Sequence, residues 1–174
     1  MRQVLTTEEN ALVSSFKQSG IFQRFTTTDL RDLANADNGG VAIICSDGDI
    51  DAFAFHARIS SRPHAIKIFG GPLVLSPIFR GHDKGFTRGL INNLKQGMRA
   101  KKTETIFLYF HYPCGLAIEF RYEIHRVVAI ADRIREVFAD DKFFNQEKIF
   151  TFFHVKRINK AGNLEQNTYQ LASL

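Results

Sequence analysis

Two stretches of this chain are apolar at almost every position, and they restrict the fold more than any other feature. Val41-Ala42-Ile43-Ile44-Cys45 follows the breaker Asn38-Gly39-Gly40, and Thr105 to Phe110 is apolar along most of its length. A strand with one wet face alternates polar and apolar side chains, whereas an unbroken β-branched or aromatic run is covered on both faces. Such strands sit inside a parallel sheet sandwiched by helices. Further strands are expected at His64 to Phe69, halted by Gly70-Gly71-Pro72, and at Ile149 to Ile158. After the turn Asn159-Lys160-Ala161-Gly162-Asn163, Leu164 to Leu171 returns as another.

Helical patterns fill the intervals. Thr6 and Glu9 have the spacing of a capping box, with Leu12 and Phe16 one turn apart and Gly20 as the stop. A second helix is read at Thr28 to Ala36, and a third is marked by Phe86, Leu90, Ile91, Leu94 and Met98 up to Lys102. The clearest one runs from Leu116 through Phe120, Ile124, Val127, Val128, Ala131 and Ile134 to Phe138. The expectation is an α/β fold with a mostly parallel central β-sheet of four to five strands flanked by helices. One domain spans 1–174, with residues 1–38 a helical segment packing on the core or on a partner subunit.

Composition narrows the classes. Of 174 residues 44% are hydrophobic and 24% charged, which excludes a disordered or collagen-like chain. No apolar run reaches the roughly 18 residues of a membrane span, so no membrane partner is expected. The opening Met1-Arg2-Gln3-Val4-Leu5-Thr6-Thr7-Glu8-Glu9 lacks the apolar core of a secretory signal. With only Cys45 and Cys114, the expected setting is a reducing cytoplasm. The net charge of +5 comes from scattered residues. The denser clusters, Arg99, Lys101, Lys102 and Lys156, Arg157, Lys160, fall at an expected helix end and an expected edge strand, where cations have structural uses. Without a recognition motif, no nucleic-acid partner is expected.

In parallel sheets ligands bind beyond the carboxyl ends of the strands. Two reactive segments stand there: Cys45-Ser46-Asp47-Gly48-Asp49 and His111-Tyr112-Pro113-Cys114-Gly115. If their strands are neighbours, Cys45, His111 and Cys114 converge into a zinc ligand set with its fourth position open. The two cysteines can instead be core residues, or a disulfide if adjacent. Asp47, Asp49 and Asp51 do not form a calcium loop, because its sixth and twelfth positions hold Ala52 and Arg58. An aspartate phosphotransferase using Asp47 as nucleophile and Asp49 as acid leaves His111 and Cys114 without a role. A deaminase needs a second Cys after Pro113-Cys114. His56 and His64 are read as loop or surface residues, His125 and His154 as structural, and Phe152-Phe153 as interface candidates.

Cys45-x-Asp47 followed by His111-x-x-Cys114-Gly115 resembles the paired signature of β-class carbonic anhydrases, Cys-x-Asp-x-Arg and His-x-x-Cys. Ile66 to Val74, with Gly70-Gly71, resembles that family's second strand and glycine turn, and similarity is traceable from about Val41 to Gly115. The resemblance implies a zinc-dependent enzyme that hydrates carbon dioxide reversibly by zinc-bound hydroxide. It also implies a homodimer or higher homo-oligomer. Asp47 becomes the catalytic carboxylate beside the metal, and Gly70 and Gly71 the backbone against which the substrate or bicarbonate rests. The pattern breaks where the family has Arg, which is Asp49 here, and where Arg-Asn precedes the glycine turn, which is Ile68-Phe69. In the family the arginine keeps the carboxylate off zinc. Without it, Asp47 closing the site of a non-catalytic zinc protein is the alternative, and Arg58, Arg62 or Arg80 are candidate substitutes.

Overall fold

The computed structural model describes residues 4–47, 52–159 and 161–172. In chain order the elements are α1 (Thr7–Gln18), β1 (Phe22–Gln23), α2 (Thr27–Ala36), β2 (Val41–Cys45), α3 (Ala52–Ile59) and β3 (Ala65–Ile68). A 3-10 turn at Gly71–Leu75 leads to α4 (Lys84–Lys101), β4 (Ile106–Tyr112), α5 (Gly115–Glu119), α6 (Ile124–Asp132) and α7 (Glu136–Ala139), with β5 (Ile149–Ile158) and β6 (Leu164–Leu171) closing the chain. One six-stranded sheet has the order β1-β6-β5-β4-β2-β3. β3, β2, β4 and β5 run parallel, while β6 and β1 are antiparallel. The sheet thus has one strand more than expected. The extra one is β1, two residues long and paired with the end of β6.

The period of two along each inner strand divides the core between the faces. Val41, Ile43, Ile106, Leu108, Phe110 and Phe153 pack with Val13 of α1, Leu94 and Met98 of α4, and Val127 and Ile130 of α6. Ala42, Ile44, Phe107, Tyr109 and Phe152 pack on the other face with Leu30 and Ala34 of α2 and Ile59 of α3. Every residue of β2 and β4 is buried, as their composition requires. The capping box of α1 forms in both halves: Thr6 N–H donates to Glu9 Oε2 at 2.8 Å and Glu9 N–H to Thr6 Oγ1 at 3.3 Å. No helix among the described residues is long and apolar enough to cross a membrane.

Four local expectations are corrected. The long helix from Leu116 is interrupted between α5 and α6, where Arg121 takes φ +55° and cannot continue a right-handed helix. Phe152 and Phe153 are fully buried inside the chain, on opposite faces of the sheet, so neither is free for an interface. Lys156 and Arg157 lie on β5, which is flanked by β4 and β6 rather than being an edge strand, although past Val155, where the β4 pairing ends, it pairs with β6 alone. His56 is neither loop nor surface: it sits in α3, wholly buried.

His56 Nδ1 shares a hydrogen bond with the Tyr109 hydroxyl at 3.1 Å, and its ring lies against Phe107 at 5.2 Å. Nε2 is buried without a hydrogen-bonding partner. Burial, with smaller repulsion from Lys101 and His64, lowers the imidazole from its ordinary 6.5 to about 4. The unfolded chain therefore takes up this proton before the folded one does. The stability that neutral His56 supports is complete above about pH 6.5 and is lost as pH falls toward about 4, by on the order of 2 kcal/mol at pH 5. Urea midpoints compared at pH 7 and pH 5 should fall less in His56→Gln than in the wild type. A residual slope is expected from His154, which burial also holds down.

Candidate metal centre

The centre is built where two parallel strands end side by side. β2 pairs with β4 from Val41 opposite Ile106 to Ile44 opposite Tyr109. Cys45 is the last residue of β2, His111 the last but one of β4, and Cys114 follows at the entry to α5. Sequence positions 66 and more apart thus meet: one donor atom from each of Cys45, His111 and Cys114 lies within 4.8 Å of the others. All three side chains are buried. Both cysteines are free thiols, so the disulfide reading is set aside.

The imidazole of His111 is the telling group. Neither Nδ1 nor Nε2 has a hydrogen-bonding partner, although both are buried. A buried polar atom without a partner costs about 1–3 kcal/mol, so such a ring asks for a ligand that uses its lone pair. The sulfur of Cys45 is prepared in the complementary way. It accepts the N–H of Gly70 at 3.2 Å and that of Asp47 at 3.4 Å. Hydrogen bonding from Cys114 is the main cause that pulls the Cys45 thiol down, to about 5, against the cost of burial, with His111 and the Asp47 N–H helping. Cys114 moves upward, chiefly through its contact with the Cys45 sulfur, and burial pushes the same way. A cation bound by these three donors, with both thiols deprotonated, would meet two thiolates and one imidazole, a donor set that suits zinc.

Asp47, Gly70 and Gly71 stand around this group. Asp47 lies just past Cys45, and its Oδ2 accepts the N–H of Gly115 at 2.8 Å. Its oxygens are not among the donors that fall within 4.8 Å of one another. Asp49 and Asp51, with Gly48, lie outside the described residues. Gly70 and Gly71 both have positive φ, +84° and +57°. A Cβ on Gly70 would fall 2.2 Å from Leu116 Cδ2, and one on Gly71 2.8 Å from the Cys45 nitrogen. These glycines let the turn after β3 close over Cys45 and aim an N–H at its sulfur. Arg58, Arg62 and Arg80 are exposed. Arg58 Nε donates to Ala54 O at 3.3 Å in its own helix, and Arg80 lies over the Tyr122 ring.

Two neighbours of the centre were not placed there by the sequence, which reads His154 as structural. His154 stands opposite His111 in the β4–β5 register, stacks on Tyr109 at 5.5 Å and shares a 2.7 Å hydrogen bond with Thr168 Oγ1. The sheet register alone could have paired it with His111. The Gly115 N–H has no sequence signal, because every residue but proline carries that donor.

No family model matches the chain, and no curated protein does either. Its structural neighbours are carbonic anhydrases. The chain is similar to the carbonic anhydrase of Streptococcus mutans over 94% of its own length and 99% of that chain, with 8% identity and a TM-score of 0.45. It is similar to the carbonic anhydrase of Glaciozyma antarctica over 95% and 96%, with 14% identity and a TM-score of 0.39.

The close approach at Gly71 can be separated from its backbone conformation. Gly162 also has positive φ, +81°, but an added Cβ there meets nothing within 4 Å. Gly162→Ala should cost only the left-handed penalty, about 1 kcal/mol. Gly71→Ala carries that penalty and a collision with Cys45, so urea denaturation should register a loss at least about twice as large.

Proposed function

We propose that Cys45, His111 and Cys114 hold one zinc ion, and that the chain is a carbonic-anhydrase-like enzyme for the reversible hydration of carbon dioxide. The observation that carries this reading is the buried imidazole with neither nitrogen partnered, within 4.8 Å of two free thiols. The residue pattern around it, similar to the paired signature of β-class carbonic anhydrases, supports the choice of reaction. A phosphotransferase built on Asp47 gives these buried donors nothing to do.

Zinc in such a site is a Lewis acid that lowers the pKa of coordinated water toward neutrality and so makes a nucleophile for carbon dioxide available. The protein supplies the surroundings. The Cys45 sulfur is held by two backbone N–H groups, which fix its position and moderate how much charge it gives to the metal. Asp47, at the rim and anchored by one oxygen, is the acceptor that orients the reacting water and takes up its proton. The glycine turn at Gly70-Gly71 forms the backbone wall against which a small substrate or bicarbonate rests. We also read the chain as one domain, assembling as a homodimer or higher homo-oligomer, in keeping with the resemblance. The buried free thiols suit a reducing cytoplasm.

Metal analysis of protein purified without added zinc should find about one zinc per chain, and close to none in Cys114→Ser. Stopped-flow proton release on mixing with dissolved carbon dioxide should be about a hundredfold or more faster for the wild type than for Cys114→Ser. Zinc at full stoichiometry with equal rates would leave a metal that only stabilises the fold.

A further inference from the structure

The sequence lacks the arginine that would hold Asp47 back from a metal. Arg58, Arg62 and Arg80 are exposed, and the contacts of Arg58 and Arg80 lie elsewhere. We propose that the backbone N–H of Gly115 does this work: it anchors the Asp47 carboxylate away from the metal position and keeps the fourth coordination place open. The inference rests on the zinc reading above and adds to it a positioning group on the main chain.

The hydrogen bond, 2.8 Å from Gly115 N to Asp47 Oδ2, joins residues 68 apart in sequence. Its length is that of a charge-assisted bond. Each partner needs the other. Gly115 opens α5, and the first N–H groups of a helix have no acceptor within it. The residue at the capping position is Cys114, whose sulfur belongs to the donor group. A carboxylate from the neighbouring strand end accepts this first N–H, which a capping side chain, bonded to the second or third N–H, does not reach. The same bond commits one oxygen of Asp47, whose oxygens are not within 4.8 Å of all three donors. Swinging the carboxylate onto a metal would break this bond and leave the α5 N–H without its acceptor.

A main-chain donor can be removed by proline. Cys114 has φ −121° and ψ +132°, the conformation required of a residue before proline. The first helical position is where proline is favoured. Gly115→Pro therefore deletes the N–H where the backbone suits proline, its Cδ taking the place of the hydrogen and turning the carboxylate away, and Gly115→Ala is the conservative variant that keeps the donor. Each protein is loaded with cobalt(II) in place of zinc, and its visible d–d bands are recorded with increasing thiocyanate, an anion that binds an open coordination place.

Wild type and Gly115→Ala should show a thiocyanate-dependent change. Gly115→Pro, with equal cobalt content, should respond about tenfold more weakly or not at all. Asp47→Ala added to Gly115→Pro should restore the response, because the carboxylate that closes the place is gone. A full response in Gly115→Pro, or none in the wild type with cobalt bound, overturns the inference while leaving the metal site standing. A wild type that takes up no cobalt overturns the metal reading and this inference with it. Should Gly115→Pro fail to fold, amide exchange at Gly115 provides the second measurement. Exchange should be at least about tenfold faster in Asp47→Ala than in the wild type, and equal rates would refute the anchor.

Discussion

Everything at the candidate centre depends on the in-register parallel pairing of β2 with β4. Cys45 ends one strand and His111 nearly ends the other, so the two meet only while Ile44 stays opposite Tyr109. A shift of one residue would turn each side chain to the other face. The register is held by burial on both sides: Ile43 and Leu108 face the α4 and α6 layer, while Ile44 and Tyr109 face α2 and α3. The apolar runs that fix the fold therefore also fix the separation of the donors. The glycine turn after β3 adds the third side of the enclosure, because β3 pairs with β2 up to Ile68 opposite Cys45.

The polar groups inside this sheet divide into satisfied and unsatisfied ones. His56 has one nitrogen on Tyr109, and His154 one on Thr168. In both, the second nitrogen is buried without a partner and the ring is held neutral by burial. His111 has no partner on either nitrogen. The first two are imidazoles accommodated in an aromatic core, and their cost is felt as acid sensitivity. His111 is a different case, since the groups next to it are sulfurs that donate to metals. A ligand that joins these three donors would remove an unfavourable term and draw folding and metal binding together.

Val41–Cys45 and Ile149–Ile158 were readable because β-branched and aromatic residues cluster where both faces are dry, and the largely polar, mostly half-buried Leu164–Leu171 was readable from the turn before it; all three are observed with the expected bounds. The convergence of Cys45, His111 and Cys114 followed from their positions at strand ends. Other features were not legible, for particular reasons. Ala52–Ile59 has aromatic and basic residues where an amphipathic helix would be polar, because α3 packs against both the sheet and α2, so His56 looked like a loop residue. The break after α5 hides in Arg121, whose left-handed backbone no helical periodicity reveals. The anchor of Asp47 is a main-chain N–H, and a peptide group has no letter in the sequence.

That last point changes how the missing arginine is to be weighed. A guanidinium beside a carboxylate brings two or more donors and a positive charge; an amide brings one donor and no charge. The amide is also part of the backbone that carries Cys114, so the carboxylate is tied to the same segment that supplies a ligand. An arginine on a long side chain can leave its partner, whereas Gly115 moves only if α5 moves. On the zinc reading, the two thiolates already cancel the charge of the ion, and an uncharged anchor adds no cation to retain an anionic product. On that reading, Asp47 keeps a restraint through the Gly115 N–H although the sequence has Asp49 where the resemblance would place arginine, and the restraint is what would decide between an open metal and a closed one.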